Sequence, residues 1–242
     1  MRVIGVIQAR VGSTRLPGKV LLPLGPDPML AHVVARLSRA RNVDGVVVAT
    51  TILPEDDPIE RLCRARSWDC FRGHPTDLLD RYHRAAREAK ADAIVRVTSD
   101  CPMLDASVVE RVVERLVSAA PRLDYVSNVI PRRTFPRGLD CEAFTVEALA
   151  RADSLDTNMA WREHCTPFLY RRSDLFRTDL VTSDTDLSHL RWTVDTDEDY
   201  AFAQAVFEHF DGQEFGVEQI LELLARRPEL ATLNRHVEQK AV

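Results

Sequence analysis

Short apolar runs alternate with amphipathic helical patterns along the first half of the chain, and this alternation constrains the fold more than any other feature. The runs at 3–7, 46–49 and 93–97 contain no polar alternation, which is typical of strands buried on both faces. Between them, apolar residues recur at helical spacing. The pattern predicts an α/β fold with a mostly parallel sheet sandwiched by helices.

Shorter sequence patterns indicate further strands and the starts of helices. We expect additional strands at 68–71, 125–129 and 190–194. Helices should begin near Asp27-Pro28 and Thr76, because Asp and Thr cap helix N-termini and Pro suits the first helical position. In a parallel sheet, ligands bind beyond the carboxyl ends of the strands, so the loops that follow the strands should line a site.

The length of 242 residues fits one α/β domain, and we expect 1–242 to form a single domain. Residues 130–180 have a less regular pattern. We interpret this stretch as a lid or a dimerisation insert. In the second case the protein would form a homodimer.

The cysteines and the charge distribution indicate the cellular compartment of the protein and the kind of ligand that it binds. The five cysteines form no CxxC pair and the sequence shows neither an export signal nor a membrane-length apolar run, so we expect reduced thiols in a cytoplasmic protein that contacts no membrane. The pI of about 5.8 argues against nucleic-acid binding. Residues 1–42 nevertheless carry seven Lys or Arg against one Asp, which suits an anionic ligand.

A Gly-rich basic loop, QARVGSTRLPGK at 8–19, follows the first strand. Exposed amides, hydroxyls and three cationic side chains can together bind a triphosphate, although a lone Gly-rich loop is more often an ordinary surface loop. Five residues separate Gly12 from Gly18 and Val20 follows Lys19, so this is not a P-loop. The residues expected to bind the nucleotide here are Gln8, Ala9, Arg10, Gly12, Ser13, Thr14, Arg15 and Lys19.

Two carboxylates, Asp100 and Asp195, each follow a predicted strand and could meet at one edge of the sheet. Carboxylate oxygens are ligands that Mg²⁺ prefers, so we expect Mg²⁺ there. The acids at 197–199 could instead decorate a helix N-terminus. We prefer that reading for Glu198 and Asp199, and Asp197 remains a candidate third metal ligand.

Eight sequence motifs follow one another along the chain. They are, in order, IQARVGSTRLPGKVLLPL, VVVATT, FRGHPTDLLDRYHRAA, IVRVTSDCPMLD, YVSN, FPRGLDCEAF, REHCTPF and LSHLRWTVDTDEDY. Together they resemble the SpsF-type spore-coat polysaccharide branch of the cytidylyltransferases and, more distantly, the acylneuraminate and 3-deoxy-manno-octulosonate cytidylyltransferases. The resemblance covers about residues 3–207. It implies a nucleotide-diphospho-sugar transferase (Rossmann-like) fold, CTP and Mg²⁺ as co-reactants, and pyrophosphate as a product.

The resemblance also implies roles for the matching residues. The catalytic set is Arg15, Lys19, Asp100 and Asp195. Further nucleotide contacts are expected at Gly73, Asp80, Arg81 and Ser99. Acceptor contacts are expected at Arg137, Asp140, Glu142, Glu163 and His164. Two positions depart from the family pattern, since Ser99 replaces a usual glycine and Asp197 replaces a usual proline.

The predicted reaction is transfer of CMP from CTP to an acidic sugar or similar anionic acceptor in surface polysaccharide biosynthesis. Three alternatives remain: a sugar-phosphate nucleotidyltransferase that uses another triphosphate, a glycosyltransferase with an Asp-x-Asp motif at 184–186 or 195–197, and a non-catalytic nucleotide-binding partner. The basic loop argues against the glycosyltransferase, which expels no pyrophosphate. For His164, both an acid/base role and a structural role stay open.

Overall fold

The computed structural model describes residues 1–238, and a mixed sheet organises this part of the chain. The strands are β1 Val3–Gln8, β2 Pro23–Leu24, β3 Asp27–Pro28, β4 Gly45–Thr51, β5 Asp69–Gly73, β6 Ala93–Thr98, β7 Tyr125–Ser127, β8 Glu142–Thr145 and β9 Thr178–Leu180. The α-helices are α1 Met29–Leu37, α2 Asp57–Arg66, α3 Leu78–Glu88, α4 Ala106–Ser118, α5 Val146–Leu155, α6 Met159–Arg162, α7 Pro167–Arg171, α8 Asp197–Phe210 and α9 Val217–Arg226.

Seven strands form the main sheet in the order β5-β4-β1-β6-β8-β7-β9. Strands β5, β4, β1 and β6 are parallel to one another, and β7 is parallel to β9. Strand β8 runs antiparallel between β6 and β7. The predicted α/β fold with a mostly parallel, helix-covered sheet is therefore confirmed.

Both faces of the sheet are buried, as the unbroken apolar runs require. On β1, Val3 and Ile7 pack into the core with α1, α4, α8 and α9, whereas Ile4 and Val6 pack into the core with α3, α5 and α7. Burying a side chain of this size contributes about 1.5–3 kcal/mol. Gly5 lies where a Cβ would come within 2.6 Å of Leu37, so the glycine permits close packing of α1 on the sheet.

The strand predicted at 190–194 was wrong. The structure has one isolated parallel bridge there, between Arg137 and Arg191, and no strand. The segment is still held, because the backbone N–H of Trp192 donates to Arg137 O at 2.7 Å and that of Val194 donates to Asp100 O at 2.8 Å. The chain turns at Gly138, so the bridge cannot extend into a ladder.

Two helix starts also differ from the prediction. Asp27 and Pro28 pair with Pro23 and Leu24 as a short hairpin, and α1 begins only at Met29. Helix α3 is capped by Asp77, whose side chain accepts the Asp80 N–H at 3.0 Å, and not by Thr76. In each case a neighbouring polar or turn contact outweighs the local capping preference.

Residues 130–180 contribute β8 and β9 to the main sheet and also contain α5, α6 and α7. The sequence pattern predicted neither β8 nor β9. That this stretch acts as a lid or a dimer contact stays a prediction. The assignment of 1–242 to a single domain also stays a prediction, and residues 239–242 lie outside the described part of the chain. No helix within residues 1–238 combines the length and apolarity needed to cross a membrane.

The turn at Gly138 supplies a stability prediction. Its φ is +102°, and a Cβ there would lie 2.6 Å from the backbone N of Thr193 and the backbone C of Trp192. We expect Gly138→Ala to lower the free energy of unfolding by about 2–4 kcal/mol. At Gly212 φ is +79° but nothing lies within 4 Å of the added Cβ, so Gly212→Ala should cost only about 1–2 kcal/mol. Urea unfolding measures both, and equal losses would contradict the close approach.

Candidate active site

A cleft of about 300 Å³ opens at the carboxyl ends of β1, β5 and β6. Its wall is made by the basic loop after β1, the β5–α3 connection, the loop after β6, the residues after α6, and Asp195 before α8. Most residues predicted for the site converge here, namely Gln8, Ala9, Arg10, Gly12, Ser13, Thr14, Arg15, Lys19, Arg81, Ser99, Asp100, Glu163, His164 and Asp195.

Lys19 joins the two carboxylates at the floor of the cleft. Its Nζ donates to Asp100 Oδ2 at 2.9 Å, to Asp195 Oδ1 at 2.8 Å and to the backbone O of Val194 at 2.8 Å. Burial by itself would lower the pKa of the Lys19 ammonium, but the charges of both carboxylates outweigh it and raise the pKa above its ordinary value. Lys19 is therefore a fixed cation between two anions.

Asp100 is held as a carboxylate by its neighbours. Burial would raise the pKa of Asp100, but the Lys19 charge and the hydroxyl of Thr98, which donates to Oδ1, hold that pKa below its ordinary value. Asp100 follows β6 immediately after Ser99, so the strand end fixes its place at the sheet edge. Sequence reasoning missed Thr98, although a hydroxyl two residues before a key carboxylate is a local signal.

Asp195 is held by arginines and by the start of α8. Arg15 lies 3.0 Å and Arg191 lies 3.1 Å from Asp195 Oδ2. Asp199 is fully buried, accepts the backbone N–H groups of Asp195 and Thr196 at 3.0 and 3.2 Å, and pairs with Arg191 at 2.8 Å. Asp199 is thus the structural acid of this segment.

Asp197 lies in the first turn of α8, is exposed, and does not line the cleft. Its role as a third metal ligand stays a prediction without support from the geometry of the cleft. The adjacent acids differ so strongly because the capping box of α8 turns Asp199 inward.

The basic loop is anchored from below. The buried carboxylate of Asp56 accepts the backbone N–H of Val11 at 2.6 Å and the hydroxyl of Thr51. At the other end, Gly18 has a φ of +69° and donates to Val11 O at 3.1 Å. A 3₁₀ turn at Lys19–Leu21 follows, so no α-helix stands directly behind the loop. Asp56 is a further residue that sequence reasoning missed.

Arg81 shapes the β5–α3 side of the cleft. It is 3% exposed and donates to the backbone O of His74 at 3.0 and 2.7 Å and to that of Pro75 at 2.8 Å. Gly73 leaves room for it, because a Cβ at that position would lie 2.8 Å from Arg81 Cγ. Gly73 and Asp80 themselves do not line the cleft. Arg81 therefore braces the wall that Pro75, Thr76 and Leu78 form.

A buried polar network supports Gln8. Gln8 Oε1 accepts from the Tyr82 hydroxyl at 3.2 Å and from Arg96 Nε at 3.1 Å, and Arg96 also pairs with Glu142. Burial would lower the pKa of Arg96, but the Glu142 charge outweighs it and the pKa is raised. Glu142 also accepts from Tyr125 and does not line the cleft. Because Oε1 is engaged twice, the Gln8 amide presents its NH₂ group as the remaining donor.

Among the residues predicted to contact an acceptor, Glu163 and His164 line the cleft and are exposed. They follow α6, which is anchored by Arg162 through bonds to Asp77 at 2.8 Å and Asp153 at 2.6 Å. Asp140 instead pairs with Arg133 at 2.7 Å. Arg137 lines a different pocket. Contact of Arg137, Asp140 and Glu142 with an acceptor thus stays a prediction.

The donor set at the floor of the cleft fits a magnesium ion. Asp100 and Asp195 both contact one ammonium, so they are close enough to share one hydrated divalent cation once Lys19 shifts. Among residues 1–238, no group of three or more His, Cys, Asp or Glu side chains is placed to hold a metal. Two carboxylates that leave the other positions to water and phosphate oxygens suit Mg²⁺, which keeps several waters in such sites.

Solved structures first define the class of protein. The fold matches that of CMP:2-keto-3-deoxy-manno-octonic acid synthetase complexed with CTP, with a TM-score of 0.67 and 21% identity over 86% of this chain and 99% of that one. It matches a cytidylyltransferase from Leptospira borgpetersenii with a TM-score of 0.91 and 33% identity, with 100% of both chains covered. The fold is therefore that of a nucleotidyltransferase.

The family follows from the sequence comparisons. Residues 4–241 match the family model described as cytidylyltransferase. The chain is also similar to the spore coat polysaccharide biosynthesis protein SpsF of Bacillus subtilis, with 28% identity over 95% of this chain and 97% of that protein. The chain belongs to the cytidylyltransferase family, and the SpsF-type resemblance seen in its motifs is confirmed.

Proposed function

We propose that the protein transfers CMP from CTP to an acidic sugar or a similar anionic acceptor, releases pyrophosphate, and requires Mg²⁺. The observation that carries the proposal is the arrangement of Lys19 between Asp100 and Asp195, directly below a basic loop anchored at the end of β1. A triphosphate needs many donors and cations, and a phosphoryl-transfer site needs carboxylates for a divalent ion.

In this mechanism an acceptor oxygen attacks the α-phosphorus in line, and the bond from that phosphorus to the β-phosphate oxygen breaks. Arg15 and Lys19 stabilise the charge that develops on the departing pyrophosphate. The backbone N–H groups of Gly12 and Thr14 can hold the phosphates in register, whereas that of Ser13 already donates to Val11 O at 2.7 Å. Catalysis comes from positioning and fixed charge, and no protein nucleophile takes part.

Asp100 and Asp195 would hold Mg²⁺, which neutralises phosphate charge when it is bound. With Lys19 released from the carboxylates, its ammonium is available for the phosphates. In this exchange Asp100 and Asp195 keep a cation beside them, because Mg²⁺ would take the place of the Lys19 ammonium.

The base and the acceptor would lie on opposite sides of the cleft. The Gln8 NH₂ group can donate to the carbonyl oxygen or ring nitrogen of a pyrimidine, next to the wall braced by Arg81. Glu163 and His164 stand at the far rim, where an anionic, hydroxyl-rich acceptor could be oriented by hydrogen bonds. The DxD segment at 184–186 does not line the cleft, and of the segment at 195–197 only Asp195 does, which disfavours the glycosyltransferase alternative.

We propose that the reaction belongs to surface polysaccharide biosynthesis, since the chain is similar to a spore coat polysaccharide biosynthesis protein, and that it takes place in the cytoplasm. A homodimer is compatible with this function.

The base preference can be measured directly. We expect CTP to bind at least about tenfold more tightly than ATP or GTP in calorimetry with Mg²⁺, because the chain belongs to the cytidylyltransferase family and the Gln8 NH₂ group can donate to the cytosine carbonyl oxygen. Gln8→Leu should reduce this preference while leaving the fold intact, and Gln213→Leu, in the exposed turn after α8, is the matched control. Tighter binding of ATP or GTP would point to a sugar-phosphate nucleotidyltransferase with another base.

A further inference from the structure

A second pocket of about 380 Å³ lies behind Asp195 and shares no lining residue with the catalytic cleft. It is bounded by the segment 188–192, by α8 and α9, and by residues 231–237. Part of its wall is apolar and is formed by Leu190, Phe202, Leu224, Ala231 and Val237. The pocket therefore has the volume and the surface to take a small organic molecule.

The ionisable side chains that line this second pocket are all basic. They are Arg137, His189, Arg191 and Arg235, and no Asp or Glu among the described residues lines the pocket. Within residues 1–238, neither Arg137 nor Arg235 has a carboxylate at salt-bridge distance. Arg191 is paired with Asp195 and Asp199, so the charge that a bound anion would offset is that of Arg137 and Arg235.

Trp192 adds an unused donor to the same pocket. The residue is 1% exposed, and its indole Nε1–H has no hydrogen-bond acceptor in residues 1–238. A buried donor without an acceptor costs about 1–3 kcal/mol. A ligand oxygen that reached this donor would remove the cost, whereas the preference for an anion follows from Arg137 and Arg235 in the lining.

We propose that the second pocket binds a small organic molecule with one phosphate or carboxylate group, and that its occupancy weakens triphosphate binding in the cleft. The link between the two sites is Arg191, which lines the pocket and donates to Asp195 at 3.1 Å and to Asp199 at 2.8 Å. An anion in the pocket attracts the Arg191 guanidinium. Asp195 then presents more uncompensated negative charge to the triphosphate.

The binding step has a readout that does not depend on enzymatic activity. The chain has three tryptophans, so its ¹H–¹⁵N spectrum shows three indole signals, and Trp192→Phe identifies the one of interest. Phenyl phosphate or benzoate should shift the Trp192 signal in a saturable manner, whereas phenol, which has the same ring but no anion, should not. The more effective of the two probes distinguishes a phosphate ligand from a carboxylate ligand.

Variants locate the probe in the pocket. Arg235→Ala should weaken its binding about tenfold or more, as the loss of a charged hydrogen bond does. Arg10→Ala alters the cleft at an exposed residue and keeps the Lys19 and Arg191 contacts with Asp195, so it should leave the affinity of the probe unchanged. An unmoved Trp192 signal, an equal shift with phenol, or loss of binding in Arg10→Ala would overturn the proposed site.

The coupling is tested by calorimetry of CTP with and without saturating probe. The probe should weaken CTP binding several-fold in the native protein and have no effect in Trp192→Phe, and Arg235→Ala supplies the same comparison where Trp192→Phe does not fold. Unchanged CTP affinity overturns the coupling. A loss of CTP affinity that persists in both variants means direct competition in the cleft and overturns it as well.

Discussion

Replacing Lys19 by methionine is expected to reduce turnover by about 10²-fold or more, because a fixed cation that stabilises transition-state charge contributes several kcal/mol. Methionine keeps the length and the apolar stem of the side chain but removes the ammonium that contacts Asp100, Asp195 and Val194. The effect should appear in kcat more than in KM for CTP, because charge on the leaving pyrophosphate grows as the bond breaks.

The matched control for this variant is Lys90→Met. Lys90 is exposed and lies just before β6, at the sheet edge opposite the cleft. Its replacement should leave turnover unchanged. Arg15→Ala should have a smaller effect than Lys19→Met, since the Arg15 side chain is 35% exposed and makes one contact with Asp195. Native turnover in Lys19→Met would remove Lys19 from the mechanism.

The second large effect concerns the paired carboxylates. Asp100→Asn and Asp195→Asn should each lower turnover by about 10²–10³-fold, because the remaining carboxylate cannot offset the triphosphate charge through a bound cation. The double variant should be little worse than either single variant, since groups that act as one unit are not additive. Turnover at several Mg²⁺ concentrations, and with Mn²⁺ in its place, measures this.

Asp197→Asn is the matched control, because Asp197 is exposed at the start of α8 and does not line the cleft. The geometry predicts nearly native turnover for it. Circular dichroism should show that all of these variants stay folded. Additive losses in the double variant, or full activity after chelation of divalent ions, would contradict a shared metal at Asp100 and Asp195.

The parallel half of the sheet was predictable because its strands can be recognised from their own residues. Strands β1 and β4 carry continuous apolar runs that no solvent-exposed element would carry, and β6 is apolar except for Arg96 and Thr98. Strand β8, in contrast, has four residues and contains Glu142, whose charge is compensated by Arg96, 46 residues away in the sequence. Its place between β6 and β7 is decided by long-range pairing, which no local pattern reveals.

In the candidate site, too, some residues could be predicted from local sequence and others could not. The convergence of Lys19 and Asp100 follows from their positions after β1 and β6, whose ends the topology brings together. Asp195 was predicted to join them for the wrong reason, since the described residues 190–194 before it form no strand and its segment is held instead by the bond from the Val194 N–H to Asp100 O. Asp56, which supports the basic loop, was not predictable, since it acts through a contact with Val11, 45 residues away in the sequence. The choice of Asp199 over Asp197 as the buried acid depends on the capping geometry of α8, which equal spacing of acids in the sequence conceals.

The most direct test of the proposed cytidylyl transfer is a pyrophosphate-release assay that crosses the four nucleoside triphosphates with a panel of acidic sugars and other anionic acceptors. The account predicts release from CTP that requires both a divalent ion and one class of anionic acceptor, and that is lost in Asp100→Asn. Release from another triphosphate but not from CTP, or equal release by Asp100→Asn, would contradict it.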